Sequence, residues 1–218
     1  MAATETFVDL LAEEGASLVV QYGSSVSGAD TPNDIDLLAL YGDEADRGHV
    51  DIGPFDVIRL SETAFRGHRR VLNPVYCTEP VLNGELRHGD AAQFRAIEND
   101  VREATPNERV IAHNVRRGAA ELEKAFELFD ADRNVDTVRT LTFVHSYFLF
   151  AEWYAEGGKP TGYAAVRENV STPFPVARTR MLHADLKTGD DPENKVVDRL
   201  LTETAAAVVD SGGTGFGS

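Results

Sequence analysis

Residues 22 to 40 read Tyr22-Gly-Ser-Ser-Val-Ser-Gly-Ala-Asp-Thr-Pro-Asn-Asp-Ile-Asp-Leu-Leu-Ala-Leu40, and this segment is the most informative part of the sequence. Two carboxylates, Asp34 and Asp36, stand at the start of an apolar strand. Side chains at i and i+2 of a strand share a face, so both carboxylates project together while Ile35 and Leu37 face the core. Two such carboxylates repel each other unless a cation lies between them. Because ligation by oxygen alone suits Mg²⁺, we predict a magnesium site.

The Gly-Ser turn ahead of these carboxylates predicts a place for phosphates. Gly23 ends an apolar strand, and a residue without Cβ lets backbone N–H groups approach an anion closely. Ser24 adds a hydroxyl donor, and the segment from Ser25 to Gly28 can open a short helix whose N-terminus faces the phosphates. Such a pair is usually only a turn, but its short distance from Asp34 favours a nucleoside triphosphate with its metal ions.

The order of a strand, Gly-Ser, a second glycine and Asp-x-Asp resembles the nucleotidyltransferase superfamily. That superfamily includes polymerase beta, kanamycin nucleotidyltransferase and the minimal nucleotidyltransferases of bacteria and archaea. The resemblance implies that Asp34 and Asp36 bind metal ions, two Mg²⁺ by the usual arrangement. It also implies that Gly23, Ser24 and Gly28 contact the triphosphate.

The chain departs from the family pattern at two places. Many members carry an arginine beside the second glycine and a serine directly before the first aspartate. Here those places hold Val26-Ser27 and Asn33. Neither change removes a metal ligand, so the departures leave open how the nucleotide is held and whether the site is active.

The resemblance calls for a third carboxylate on a following strand. The segment from Phe55 to Leu60 alternates around an apolar run behind Pro54, so it reads as a strand and supplies Asp56. Asp56 would complete the metal site and act as the base that takes the proton of an attacking hydroxyl. Asp51 is the competitor, but Gly53-Pro54 favours a loop for its segment, and Asp56 is preferred.

The activity that this site implies is transfer of a nucleoside monophosphate, AMP from ATP, to a hydroxyl of a small-molecule or protein acceptor. An alternative is an antitoxin-like or non-catalytic module of the same fold that binds a nucleotide or a protein. A second alternative is a HEPN-like ribonuclease role for the helical half, based on Arg139 and His145. Six residues turn a helix by about 240° beyond one full turn, so a buried, hydrogen-bonded His145 is the favoured interpretation.

The periodicities predict an α/β (α+β) protein, with a small mixed-sheet nucleotidyltransferase domain over residues 1–104 and a helical bundle over 105–210. A first helix carries Phe7, Leu10 and Leu11 on one stripe. The predicted elements of the first domain are strands at 17–22, 35–41, 55–60 and 75–77, a helix at 61–71 and an irregular stretch at 79–85.

In the second domain, residues 138–154 are apolar nearly all round, which indicates the centre of a bundle. A final helix is predicted to start at Asp191-Pro192, and residues 211–218 are predicted to be a disordered tail. By resemblance the bundle binds the acceptor or a partner. Four glutamates are candidates to hold a cationic acceptor, with exposed helix charges as the alternative: Glu121, Glu123, Glu127 and Glu152.

Composition indicates the setting of the protein. The formal net charge of −15 is spread along the chain, as in proteins of a salt-loving archaeal cytoplasm, and argues against a nucleic-acid partner. Arg66, Arg69 and Arg70 form one local cluster, for which a solvated helix face is the alternative to phosphate binding. With no apolar run that spans a bilayer, no secretory signal and a single cysteine, Cys77, we expect a cytoplasmic protein without a membrane partner. A homodimer is left open.

Overall fold

The computed structural model describes residues 2–26, 34–42, 48–171, 174–186 and 192–214. The chain forms two compact units: Met1–Pro106 with Lys159–Tyr163, and Asn107–Gly158 with Ala164–Ser218. A mixed sheet forms the first unit and helices form the second, so the predicted fold class is confirmed. The division falls after Pro106 rather than after residue 104.

The sheet of the first unit is ordered β3-β4-β2-β1-β5. Its strands are β1 (Ala16–Tyr22), β2 (Ile35–Tyr41), β3 (Gly48–Ile52), β4 (Phe55–Ser61) and β5 (Glu85–Gly89). Strands β2 and β4 are parallel, and the other neighbours are antiparallel. Because β2 and β4 are parallel, their first residues lie side by side at the same end of the sheet.

Helices cover this sheet because both faces of its central strands are apolar. They are α1 (Ala2–Glu13), α2 (Glu62–Arg70), α3 (Glu79–Asn83) and α4 (Ala91–Glu103). Val8 and Leu11 of α1 are buried against the sheet, and Phe7 stacks on Phe55 with ring centroids 4.1 Å apart. The prediction for Leu10 was wrong, since it is 51% exposed. The helix turns Val8 rather than Leu10 toward the strands.

The segment predicted as a loop around Asp51 is the edge strand β3. It pairs with β4 so that Ile52 lies opposite Phe55, which leaves Gly53 and Pro54 as a two-residue turn. Gly53 has φ +59°. A glycine with positive φ at the first turn position, followed by proline, suits the type II′ turn that joins twisted antiparallel strands. The Gly-Pro pair therefore joins two strands rather than ending one.

Residues 75–77 are helical, which corrects the predicted strand. Residues Pro74–Thr78 form a wide helical turn, started by Asn73, whose Oδ1 accepts hydrogen bonds from the N–H groups of Val75 and Tyr76. The stretch predicted as irregular holds α3 and the start of β5. Proline is tolerated in a first helical turn, so Pro80 does not interrupt α3.

The second unit is built around one buried helix. Its helices are α5 (Glu108–Asp130), α6 (Asn134–Ala155), α7 (Tyr163–Asn169, whose first residue belongs to the first unit), α8 (Val176–Leu186) and α9 (Asn194–Thr214). Helix α6 packs against α5, α8 and α9 and buries residues on all sides, as its apolar composition predicts. Helices α7 and α8 were not predicted, because their short apolar patterns give a weak signal.

Helix α9 differs from its prediction at both ends. It begins at Asn194, and Asp191 lies outside the described residues. It continues to Thr214, where a disordered tail was predicted from residue 211, because the preceding alanine run, 205–207, favours helix. Among the described residues, no helix combines the length and apolar character needed to cross a bilayer.

Candidate metal and nucleotide site

Three carboxylates converge at the end of the sheet where the strands β2 and β4 begin. Asp36 lies directly beside Asp56 in the parallel pair, and Asp34 precedes β2 by one residue. One carboxylate oxygen from each of the three lies within 4.8 Å of the others, and all three residues are half-buried. Ile35 and Leu37 alternate with them and pack into the core. The structure thus brings together the three acidic residues selected from the sequence.

The donor chemistry of this group fits a hard divalent cation. Two unit charges at that separation repel by about 3 kcal/mol at an effective dielectric constant near 20. Holding three such groups together by strand pairing therefore costs free energy in the absence of a cation. An all-oxygen set of carboxylates suits Mg²⁺ or Mn²⁺ rather than a metal that prefers sulfur or nitrogen. Asp34, Asp36 and Asp56 are the residues that would hold it.

Position 23 requires glycine because a side chain there would collide with Asp36. A Cβ built on Gly23 would lie 2.0 Å from Asp36 Oδ2, far inside van der Waals contact. Gly23 also has φ +73°, in the left-handed region that favours glycine. The absence of a side chain at position 23 therefore makes room for the carboxylate of Asp36. This space holds the Asp36 carboxylate rather than the phosphate expected from the sequence.

The turn after β1 is held by side chains that the sequence analysis missed. The turn is one 3₁₀ segment, Gly23–Ser25, in which the Ser25 hydroxyl donates to the carbonyl oxygen of Tyr22 at 3.1 Å. Gln21 donates to Ser25 Oγ at 3.0 Å, and Arg87 of β5 donates to Gln21 Oε1 at 2.8 Å. Without a prediction of β5, the approach of Arg87 to this turn could not be foreseen.

The remaining predicted phosphate contacts divide between described and undescribed residues. Ser24 is the middle residue of the turn and is half-buried. Gly28 lies outside the described residues, as do Ser27 and Asn33. The structure therefore gives the position of Gly23 and Ser24, and the contact of Gly28 with phosphate stays a prediction.

Tyr22 is the last residue of β1 and is 9% exposed. It pairs with Asp36 across β1 and β2. Burial raises the pKa of the Tyr22 phenol well above its usual value, and the nearby charges of Asp36, Asp56 and Glu79 raise it further. The phenol therefore stays protonated and adds no negative charge to the group of carboxylates.

A histidine beside Asp56 was also missed. His49 of β3 contacts Asp56 through Nε2 and Oδ1, and its Nε2 lies 3.8 Å from Asp51 Oδ1. Asp51 itself lies directly opposite Asp56 in the β3–β4 ladder. The spacing of His49 and Asp51, two residues apart before a Gly-Pro turn, was the available signal. The prediction of a loop for this segment hid the fact that His49 and Asp51 lie on one face of a strand.

Arg139 and His145 do not form a joint site. Arg139 is exposed on α6, whereas His145 is 1% exposed. His145 Nε2 is hydrogen-bonded to Thr204 Oγ1 at 3.0 Å, and its ring lies 5.5 Å from that of Phe174. Burial lowers the pKa of His145 to about 4. His145 is the buried, hydrogen-bonded histidine that the helical spacing favoured.

The glutamates proposed for a cationic acceptor have mixed environments. Glu121 is paired with Arg117 at 2.7 Å, and Glu123 and Glu127 are exposed on α5. Burial raises the pKa of Glu152, and the neighbouring Glu156 raises it further. These positions do not form a cluster of metal-ligating groups among the described residues.

The arginine cluster and the cysteine have different surroundings. Arg69 is paired with Asp100 at 3.1 Å, and Arg66 and Arg70 are exposed on α2. Cys77 is fully buried, and burial raises the pKa of its thiol to about 12. A thiol that stays protonated is not a nucleophile, so Cys77 fills space in the core.

Comparisons with known proteins assign no family to the chain. No protein-family model and no curated protein matches the chain. Among solved structures, it is similar to a nucleotidyltransferase-like protein from Exiguobacterium sibiricum, with 9% sequence identity and a TM-score of 0.40. The similarity covers 94% of this chain and 72% of the other. At this TM-score the similarity carries no argument, so the case for function rests on the site itself.

Proposed function

We propose that this protein is a metal-dependent nucleotidyltransferase. It transfers a nucleoside monophosphate, AMP from ATP, to a hydroxyl of a small-molecule or protein acceptor. The observation that carries the proposal is the convergence of Asp34, Asp36 and Asp56 at the beginning of two parallel strands. The position of Gly23, which leaves room for the Asp36 carboxylate at the turn after β1, supports it.

The proposed roles follow from the position of each residue. Asp34 and Asp36 hold Mg²⁺ ions, and Asp56 completes the metal site. The backbone of Gly23 and the hydroxyl of Ser24 hold the triphosphate at the turn, with Gly28 as a further contact. Two divalent ions, when bound, lower the pKa of the attacking hydroxyl and neutralise the departing pyrophosphate.

The proposed reaction is an in-line displacement at the α-phosphorus of the triphosphate. The acceptor oxygen forms a bond to the α-phosphorus, and the bond from that phosphorus to the bridging oxygen breaks. The electron pair leaves with pyrophosphate. The proton of the acceptor hydroxyl passes to the carboxylate of Asp56, which acts as the general base.

The proposed setting is the cytoplasm of a salt-loving cell, which supplies ATP and Mg²⁺. Molar potassium chloride screens the mutual repulsion of a chain with net charge −15. Assays are therefore designed in high potassium chloride.

The first experiment is a calorimetric titration of each Mg²⁺-nucleoside triphosphate into the wild type and into Asp36→Ala. We expect saturable, metal-dependent binding that is lost in Asp36→Ala. Asp9→Ala is the matched control, because Asp9 is an exposed carboxylate on α1. The nucleotide that binds is then supplied with a labelled α-phosphate, and transfer of label to hydroxyl-bearing small molecules and proteins is measured.

Transfer should fall by at least about 100-fold in Asp34→Ala and Asp36→Ala and should be unchanged in Asp9→Ala. Asp56→Asn and Asp51→Asn decide which of these two residues is the third carboxylate, and we expect the greater loss in Asp56→Asn. Nucleotide binding without transfer to any acceptor would favour the non-catalytic alternative. Full activity of Asp36→Ala would refute the proposal.

A further inference from the structure

His49 reaches the candidate metal site from the edge strand β3. It lies on β3, opposite Ile58 in the ladder, so it approaches Asp56 diagonally across the β3–β4 pair. Its Nε2 contacts Asp56 Oδ1 within hydrogen-bond reach. Asp56 therefore belongs to two groups of converging ligand atoms, one with Asp34 and Asp36 and one with His49 and Asp51.

The chemistry of the two partners fixes the direction of this hydrogen bond. An ionised carboxylate only accepts hydrogen bonds, so the proton lies on Nε2 of His49 whether the imidazole is neutral or charged. A carboxylate held at one oxygen is restricted in its rotation about the Cβ–Cγ bond. The hydrogen bond thus limits where the ligand oxygen of Asp56 can lie relative to Asp34 and Asp36.

Repulsion from Asp51 favours rotation of the Asp56 carboxylate away from the site, and the hydrogen bond from His49 opposes this rotation. Like charges directly opposite each other on antiparallel strands repel. Asp51 holds that position relative to Asp56, and His49 Nε2 lies 3.8 Å from Asp51 Oδ1. The imidazole contacts one carboxylate and stands close to the other, and so it opposes the rotation of Asp56 away from the site.

We infer that His49 is a positioning residue for the third metal-binding carboxylate, holding Asp56 in the orientation that completes the group with Asp34 and Asp36. This inference rests on the proposed function, because it assigns His49 to the same metal site. Hydrogen bonds to ligating carboxylates commonly change metal affinity by 10- to 100-fold when they are removed.

A role in the core does not account for the position of His49. Its side chain is 43% exposed and lies on an edge strand, so truncation removes little buried surface. Substitution is therefore expected to change metal binding more than thermal stability.

The test is titration of Mn²⁺ into the full chain, followed by electron paramagnetic resonance of the free ion. The variants are His49→Ala and His49→Gln, and each titration is made with and without α,β-methylene ATP, which cannot release pyrophosphate. The side-chain amide of glutamine places a donor nitrogen near the position of histidine Nε2. His88→Ala is the matched control, because His88 lies on β5 at the opposite edge of the sheet.

We expect His49→Ala to weaken Mn²⁺ binding by about 10-fold or more and His49→Gln to restore it to within about threefold of the wild type. His88→Ala should bind as the wild type does. Equal affinity of His49→Ala and the wild type would overturn the inference. So would a His49→Gln variant as weak as His49→Ala, since a donated hydrogen bond would then not be the cause.

Because the readout is metal binding, it separates this inference from the proposed activity. Mn²⁺ binding that depends on both Asp34 and His49, in a protein that transfers no nucleotide, would support the positioning role and refute the transferase. Transfer activity together with a Mn²⁺ affinity that His49→Ala leaves unchanged would support the transferase and overturn the positioning role of His49. Absence of saturable Mn²⁺ binding by the wild type under both conditions would overturn both.

Discussion

At the end of β1, the carboxylate of Asp36 occupies the space that a side chain at position 23 would need. A methyl group at position 23 would lie 2.0 Å from Asp36 Oδ2, so either the turn or the carboxylate would have to move. Movement of Asp36 would separate it from Asp34 and Asp56. The requirement for glycine here is therefore steric as well as conformational.

We predict that Gly23→Ala weakens divalent-metal binding at least about 10-fold and also destabilises the fold. The positive φ alone costs an alanine about 1–2 kcal/mol, and displacement of a metal ligand adds the loss of affinity. Gly15→Ala is the control, because Gly15 has φ +96° and no atom within 4 Å of the built Cβ. Urea unfolding and Mn²⁺ titration measure the two effects. Equal metal affinity in the two variants would contradict the steric argument.

His145 makes stability depend on pH. Its folded pKa of about 4 lies below the unfolded value of 6.5, so the unfolded chain binds the proton more readily. The stability associated with its neutral form is complete above pH 6.5 and is lost as pH falls toward 4. A shift of this size corresponds to about 3 kcal/mol.

We predict that His145→Gln flattens the acid limb of the stability curve. Between pH 7 and pH 4 the wild type should lose about 3 kcal/mol more than the variant, after correction for other groups common to both proteins. Urea unfolding at several pH values measures this difference. Parallel curves for the two proteins would show that His145 is not the group responsible.

Among the elements, α5 and α6 are in close contact at Gly118. A Cβ on Gly118 would lie 2.7 Å from Cε2 of Phe148, whose ring is buried and packs against that of Phe174 at 5.6 Å. Because Phe148 is held from the other side, it has little room to give way. Gly118 thus permits a close helix contact at the cost of helix propensity.

We predict that Gly118→Ala destabilises the protein by about 1–3 kcal/mol, although alanine is the better helix former. Gly67→Ala is the matched control, since Gly67 lies inside α2 and has no atom within 4 Å of its built Cβ. That variant should gain up to about 1 kcal/mol. Phe148→Leu should relieve part of the cost in the double variant. Stabilisation by Gly118→Ala would mean that α5 and α6 can move apart at no cost.

For the whole molecule, the net charge of −15 dominates long-range electrostatics. The Debye length falls from about 10 Å at 0.1 M salt to about 3 Å at 1 M, so molar salt removes most repulsion between distant carboxylates. The ion pairs of the described residues are mostly exposed, and screening them costs little.

We predict that the melting temperature rises by several degrees between 0.1 M and 2 M potassium chloride, with most of the rise below 1 M, where screening changes fastest. Differential scanning calorimetry measures it. Sucrose is the control, because it favours compact states without screening charge. A rise that continues unchanged above 1 M would indicate a general salting-out effect instead of screening.

The local structural pattern of this protein can be predicted from its amino-acid sequence. The alternation around Asp34 and Asp36 predicts which residues of β2 face the carboxylate side and which face the core. The continuous apolar composition of α6 predicts a buried helix. Both signals depend only on near neighbours in the chain. The choice of Asp56 over Asp51 rested on a predicted loop at Asp51, where the structure has the strand β3, so that choice stays a prediction.

The pairing and the register of the strands, by contrast, are known only from the folded sheet. The pairing of β2 with β4 brings Asp56 beside Asp36, and the edge strand β3 brings His49 to Asp56. Likewise, the contact of Gly23 with Asp36 exists only because β1 and β2 are neighbours. These contacts join residues far apart in sequence, so no local periodicity encodes them, and they are set by the packing of the whole sheet.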